Sequence, residues 1–206
     1  MPRRRRQHVN PFSLDFLRPR APLELPPHET LEVDLGCGDG AFSIARAKDA
    51  EEGTFVLGLD IRSVFIAPGV EAIAELGLQN VRLETCNLIV DAEHLFDNVP
   101  VDRFFINFPD PFFKRRQRQR RWLDEETLAP LVAALRPGGE LIYQSDVWEP
   151  TIEALGYLEA HEALENLDGA FTFAKERIVA QLTSREQACL DEGRPIWRVR
   201  FRRLSL

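Results

Sequence analysis

The stretch Thr30-Leu31-Glu32-Val33-Asp34-Leu35-Gly36-Cys37-Gly38-Asp39-Gly40 decides the fold. Its first six residues alternate in polarity and are rich in β-formers, which predicts a strand. Glycine at every second position of the next five predicts a tight turn, because glycine adopts backbone angles closed to other residues. A helical pattern follows over residues 41–48. Strand, glycine turn and helix in that order open a β–α–β unit. In a doubly wound sheet such a turn sits at the carboxyl end of its strand, where ligands bind.

The same alternation continues outward. Thr54 to Asp60 reads TFVLGLD, a mostly apolar run ending in a carboxylate, as a buried parallel strand does. A helix over 69–76 closes on Gly77, and strands over 81–84 and 101–107 follow. A helix over 125–135 is stopped by Arg136-Pro137-Gly138-Gly139, with a strand over 140–145 and a helix over 151–158 beyond it. Residues 171–180 and 196–201 predict two last strands, joined by a connection long enough to carry contacts of its own. In the final one Trp197, Val199 and Phe201 alternate with Arg198, Arg200 and Arg202, giving one apolar and one basic face. The pattern predicts an α/β chain with a Rossmann-like, doubly wound, mostly parallel seven-stranded sheet and an antiparallel terminal hairpin. Residues 29–206 form that single domain. Residues 1–28, with six prolines and little periodicity, form a basic N-terminal arm.

A chain of 206 residues, 44% hydrophobic and 29% charged, suits one globular core. No run of about 18 apolar residues occurs, and MPRRRRQHVN lacks the apolar segment of a secretory signal, so a soluble, cytoplasmic protein without membrane partners is expected. No broad apolar stripe calls for a second subunit, so a monomer is expected. Cys37, Cys86 and Cys189 show no C-x-x-C pairing and the four histidines no ligand spacing, so neither disulfides nor a metal are expected. Cys37 reads as a small packing residue of the turn. Net charge is -7, yet seventeen of the 26 Lys and Arg residues lie within 1–20, 114–121 and 194–203. An acidic protein with its cations so gathered can still present a phosphate-binding face, although each cluster alone is also what a solvated tail or loop looks like.

The ligand follows from the second strand. Asp60 lies about 20 residues past the glycine turn, where an acid accepts from the ribose hydroxyls of an adenosine. Both S-adenosylmethionine and NAD meet that condition. Asp39 inside the turn would repel a pyrophosphate and tolerates a zwitterionic sulfonium, which favours S-adenosylmethionine. Asn87, just past the third strand, is placed to pair with the adenine edge, and is equally an ordinary turn asparagine.

Most specific is Asn107-Phe108-Pro109-Asp110-Pro111-Phe112-Phe113-Lys114-Arg115-Arg116-Gln117-Arg118-Gln119-Arg120-Arg121. Two prolines fix the backbone around a carboxylate at a strand tip, and six cations follow within eight residues. This segment resembles the motif N-F-P-D-P-W-P-K-K-R-H-x-K-R-R of the bacterial tRNA (guanine-N(7)-)-methyltransferase family. Further landmarks are similar in order: Arg6-Gln7-His8-Val9-Asn10-Pro11, Arg136-Pro137-Gly138-Gly139-Glu140-Leu141, and Ser145-Asp146 against the family's T-D. Thr183-Ser184-Arg185-Glu186 resembles its T-x-x-E, and Gly193-Arg194-Pro195-Ile196-Trp197-Arg198 its G-x-P-I-Y-R. Asn87 stands for the usual aspartate, Phe112-Phe113 for Trp-Pro, Gln117 for histidine and Ser145 for threonine.

The resemblance implies methyl transfer from S-adenosylmethionine, leaving S-adenosylhomocysteine, to the 7-nitrogen of a guanine in the variable loop of tRNA. It implies cofactor contacts at Asp34, Asp60, Asn87 and Asp110, beside the turn glycines Gly36, Gly38 and Gly40, with Asp110 also at the reacting centre. It implies substrate contacts at Lys114, Asp146 and the span from Thr183 to Glu186, and RNA contacts from Arg116 through Arg121, Arg118 and Arg120 among them. A non-catalytic RNA-binding protein of the same shape, a methyltransferase for a small molecule or protein, and a nicotinamide oxidoreductase are the competing readings.

Overall fold

Along Thr30–Leu35 (β1) every side chain after Thr30 is buried, and along Thr54–Asp60 (β2) all seven are. Such strands are covered on both faces, which gives β2 its apolar run, while β1 alternates and buries Glu32 against Arg46 and Arg103, and Asp34 against Ser43 and Asn107. A computed structural model describes residues 23–110 and 123–205 of the chain. The remaining elements are Ala41–Lys48 (α1), Ser63–Leu76 (α2), Val81–Thr85 (β3), Leu88–Leu95 (α3), Val101–Asn107 (β4), Glu125–Ala134 (α4), Leu135–Ser145 (β5), Trp148–Ala160 (α5), Leu164–Asn166 (β6), Ser184–Asp191 (α6) and Trp197–Arg203 (β7).

The seven strands form one sheet in the order β3-β2-β1-β4-β5-β7-β6. The first five are parallel to one another, and β7 runs antiparallel to both β5 and β6. One face carries the main core, where Leu31, Val33, Phe104, Leu141 and Phe201 pack with Leu95 of α3, Leu128 of α4 and Leu155 of α5. On the other face Phe42 of α1 meets Phe105 edge-on, with centroids 5.1 Å apart, and Ile142, Ile178 and Val179 complete the cluster. Leu23 is buried in the main core and its N–H donates to Leu95 O, so the segment expected to be an arm joins the domain by residue 23.

Several expectations are corrected. Residues 171–180 do not form a strand. The sheet edge is paired by β6 upstream, the chain turns at Gly169 and Phe171 with φ of 102° and 54°, and only Ala174 N–H returns to Arg198 O. Beyond it the chain crosses to the other face, where Ile178 and Val179 find apolar partners. α2 begins at Ser63 rather than 69 and carries Pro68 in its second turn. α3 and α6 were not expected, and β5 begins at Leu135, paired with Val101 before a register shift. α6 has a local cause. Thr183 Oγ accepts from Glu186 N–H at 2.9 Å, so the T-x-x-E spacing is a helix cap in its own right.

A row of polar side chains crosses the carboxyl ends of the central strands. Asn107 Nδ2 donates to Asp34 Oδ1 (3.1 Å), and Gln144 Nε2 donates to Asn107 Oδ1 (2.8 Å) and Glu186 Oε2 (3.3 Å). Arg198 donates through Nε to Gln144 Oε1 and through Nη2 to Glu186 Oε1 at 2.7 Å, where Arg177 also pairs. Removing one member of a buried ion pair costs several kcal/mol because the other is left without a counter-charge. Arg198 is only 12% exposed at its side chain. Glu186→Ala is therefore expected to lower unfolding free energy by about 3 kcal/mol in urea denaturation, and Glu186→Gln by less. A loss below about 1 kcal/mol for Glu186→Ala, the size of an ordinary exposed pair, would show that the row does not support the fold.

Candidate active site

The glycine turn forms one wall of the site. Gly36, Gly38 and Gly40 all have positive φ, of 80°, 61° and 76°. This lets the N–H groups of Gly36 and Cys37 both reach Leu59 O while that of Gly38 donates to Asp60 Oδ2 at 3.0 Å. A Cβ on Gly36 or Gly38 would meet no atom, because both face open space. Burial pushes the Cys37 thiol well above its ordinary range, consistent with a packing role and against a nucleophile.

The turn opens into a cavity of about 410 Å³ at the strand tips. Asp34, Gly36, Gly38, Asp110, Asp146, Thr183 and Arg185 line it, as do Arg62, Phe65 and Asn107, which sequence reasoning did not single out as site residues. Arg62 had a local signal, two positions past the acid of β2. Its backbone N–H donates to Asp60 Oδ1, its Nε and Nη2 bind both carboxylate oxygens, and its guanidinium lies 4.1 Å from the Phe65 ring centre. Asp60 itself is 4% exposed and does not line the cavity; Arg62 stands between its carboxylate and the open space.

Asp34 lies at the cavity floor, 1% exposed, with its oxygens accepting from Ser43 Oγ and Asn107 Nδ2. Burial pushes its carboxyl up to about 6 despite those two bonds, and the charges of Asp60 and Asp39 act in the same direction. Asp110 follows the tip of β4. The chain reaches it through Phe108, which holds a φ of 50° ahead of Pro109 while its N–H donates to Gln144 O at 2.7 Å. An aromatic residue in the left-handed region, directly before a proline, is strained, and such strain collects at functional sites.

Asp146, past β5, is held by α6. Its oxygens accept from Arg185 Nε (3.3 Å) and Nη2 (2.8 Å), and from Arg194 Nη1. Burial would raise its carboxyl, but the bond and charge of Arg185 outweigh burial and hold it below the ordinary value.

Asp60 and three further expected contacts, Glu186, Asn87 and Gly40, do not line the cavity. The Glu186 carboxylate is 1% exposed, is held by Arg198, Arg177 and Gln144, and does not line the cavity; its place is in the buried row. Asn87 is 6% exposed at the start of α3, where its backbone N–H donates to Asp91 Oδ2, and it too is absent from the lining. Gly40 packs against Leu83 behind the turn. Lys114, Arg116, Arg118, Arg120 and Arg121 lie outside the described residues.

Residues 28–199 match the family model described as "Putative methyltransferase". A tRNA (guanine-N(7)-)-methyltransferase of Trichormus variabilis is 32% identical over 97% of this chain and 96% of its own length. One of Prochlorococcus marinus is 36% identical over 96% and 87%. Among solved structures, a SAM-dependent O-methyltransferase from Thermotoga maritima, 18% identical, superposes with a TM-score of 0.55 over 87% of this chain and 61% of that one, a likeness of fold. Identity above 30% along almost the whole of both chains carries more than shape, and by it this chain belongs to the tRNA (guanine-N(7)-)-methyltransferase family.

Proposed function

We propose that the protein transfers a methyl group from S-adenosylmethionine to the 7-nitrogen of a guanine in the variable loop of tRNA. One observation carries the reading. A single cavity of about 410 Å³ runs from the glycine turn and the Arg62 that covers Asp60 at β2 to Asp146 and α6 at β5, so that one space joins the cofactor turn to the far end of the sheet. The residues present fit such a cofactor. Gly36 and Gly38 leave the turn open to it, Asp60 is an acceptor for a ribose diol once Arg62 yields, and Asp34 offers a buried carboxylate to a cation. S-adenosylmethionine supplies an electrophilic methyl group on a cationic sulfur.

The chain has little proton chemistry to do, because the 7-nitrogen carries an in-plane lone pair and no proton. Its residues must hold the base in line, a contribution of several kcal/mol in well-oriented reactions. As the base becomes cationic its Watson–Crick N–H groups become better donors, so a carboxylate accepting from them binds the transition state more tightly than the ground state. Asp110, at the β4 tip between the two ends of the cavity, takes that role. The basic stretch 114–121 and the basic arm ahead of Leu23 supply phosphate contacts, since a tRNA is held by its backbone shape rather than by sequence. Among the described residues no helix is long and apolar enough to cross a membrane. A cytoplasmic monomer is the form proposed.

Incubation of tRNA with labelled S-adenosylmethionine, followed by nucleoside analysis, is expected to yield 7-methylguanosine; a sample that binds cofactor yet labels no tRNA would overturn the reading. Asp110→Ala should lower single-turnover transfer by at least about 100-fold while tRNA affinity holds within a few-fold, as for loss of one preorganised electrostatic partner. Asp34 gives a pH dependence of definite sign. Its carboxyl is charged above about 6 and neutral below, so cofactor affinity should be flat just above that pH and fall by up to about tenfold per unit beneath it. Titration calorimetry should find the dependence gone in Asp34→Asn.

A further inference from the structure

The basic face of β7 is only partly used by the fold. Val199 and Phe201 point into the main core, so Arg198, Arg200 and Arg202 share the opposite face of the strand. Arg198 is bound to Glu186 at 2.7 Å, and Arg202 has Glu140 at 3.7 Å. Arg200, between them, pairs with no acid among the described residues, and its Nε is buried without a hydrogen bond. Across the sheet on β5 its neighbour is Ile142, which is apolar and buried. Arg82 and Arg103 also bury an unbonded Nε, but each stands beside a carboxylate, Glu84 for one and Glu32 for the other.

Arg200 forms part of the wall of a second cavity of about 410 Å³ on that face of the sheet. The segment that crosses the sheet after β6 supplies Lys175 and Arg177 to the same wall. Arg177 is committed to Glu186, whereas Lys175, which is exposed, has no acid partner among the described residues. Asp168 and Glu176 also line the cavity, but both are exposed at its rim and neither forms an ion pair with Arg200. A half-buried cation with an orphaned donor is costly to keep, and the acceptor it lacks has to come from outside the chain. The cavity is also close to the site already described. Arg200 lies two residues, roughly 7 Å, along β7 from Arg198 in the polar row, and Arg177 belongs to both.

We propose that this second cavity is a phosphate site, in which Arg200, with Lys175 at the mouth, holds a backbone phosphodiester of the bound tRNA. The inference rests on the tRNA reading above and extends it to a flank of the sheet beyond Arg198, where the family landmarks end. A guanidinium presents a planar fork that matches two phosphate oxygens, and the lysine adds a point charge. The acids at the rim repel the same phosphate, so their removal acts in the opposite sense.

Binding of tRNA measured over a series of chloride concentrations tests the site. Arg200→Met keeps the buried stem and removes the charge. It should weaken binding about 10-fold, the size of one hydrogen-bonded contact to a charged group, and make the plot of log affinity against log salt shallower by about one contact. Lys175→Gln, at an exposed position with no partner to lose, should shift both in the same direction, and it carries the test should Arg200→Met fold poorly. Glu176→Gln should strengthen binding. Cofactor affinity and single-turnover transfer at saturating tRNA should match the unmodified protein, because the site stands apart from the reacting atoms. Unchanged affinity and slope, or slower transfer at saturating tRNA, would overturn the proposal. Inorganic phosphate separates the two sources of the anion: it should inhibit tRNA binding no more than sodium chloride at equal ionic strength. Stronger inhibition that is lost in Arg200→Met would assign the cavity to a free anion instead. An unmodified protein that binds no tRNA would remove the reading beneath the proposal, whereas unchanged binding by the variants removes only this site.

Discussion

The hydrogen bond from Asn107 to Asp34 is the joint on which the carboxyl edge of the sheet depends. It is the first link of a row that continues through Gln144 to Glu186 and Arg198, so that β1, β4, β5, β7 and α6 are tied by side chains as well as by strand pairing. Each member is buried or nearly so, and each is satisfied by its neighbours. In a low-dielectric interior such a network is stable when complete and costly when one group is lost. The row also makes the two ends of the cavity one unit. The Asp34 carboxylate at the floor and the start of α6, which presents Thr183 and Arg185, are positioned by the same chain of bonds.

A steric constraint sets the opposite wall. Gly40, Gly58 and Gly69 belong to the turn, to β2 and to α2, and a Cβ on any of them would run into the side chain of Leu83 from β3. For Gly58 and Gly69 the need is close approach rather than an unusual backbone angle. Leu83 fills the space that three absent side chains leave, and α2 comes down on the Asp39 carbonyl. The glycine turn is thereby held between a strand it does not pair with and a helix two elements away.

How far the sequence could be read follows from the range of the interactions involved. β1, β2 and β4 run over the residues their patterns predict, β2 as an apolar run buried on both faces, β1 through its alternation into the glycine turn and β4 through its β-forming Phe104-Phe105-Ile106. The fold class followed from them. The run 171–180 misled because its apolar residues are anchored after a crossing to the far face of the sheet, and residue composition does not distinguish that from edge pairing. α6 was legible in principle, since Thr183 and Glu186 stand at capping distance. Reading the pair only as a family motif hid the helix and placed Glu186 in the site, when its carboxylate is a partner of Arg198. Arg185 lay within the span the resemblance assigned to substrate, but its pairing with Asp146, and that of Arg194, could not be read, since they meet across 39 and 48 positions of chain.

These pairings narrow which acid can respond to the chemistry. The reaction moves positive charge from one end of the cavity toward the other, from a sulfonium to a purine ring. Asp60 is bound by Gly38 and Arg62, Asp34 accepts from Ser43 and Asn107, and Asp146 faces Arg185 and Arg194. Asp39 accepts from Ala41 N–H within the turn. Asp110 sits on the strained connection after Phe108, at the tip of β4, within reach of the Arg62 charge, and β4 is the strand between β1 and β5 in the sheet. In the proposed reaction, an acid at that midpoint would be close to the charge before and after it moves. Strain in the connection that carries it is the local cost of holding a carboxylate there rather than letting it relax into a turn.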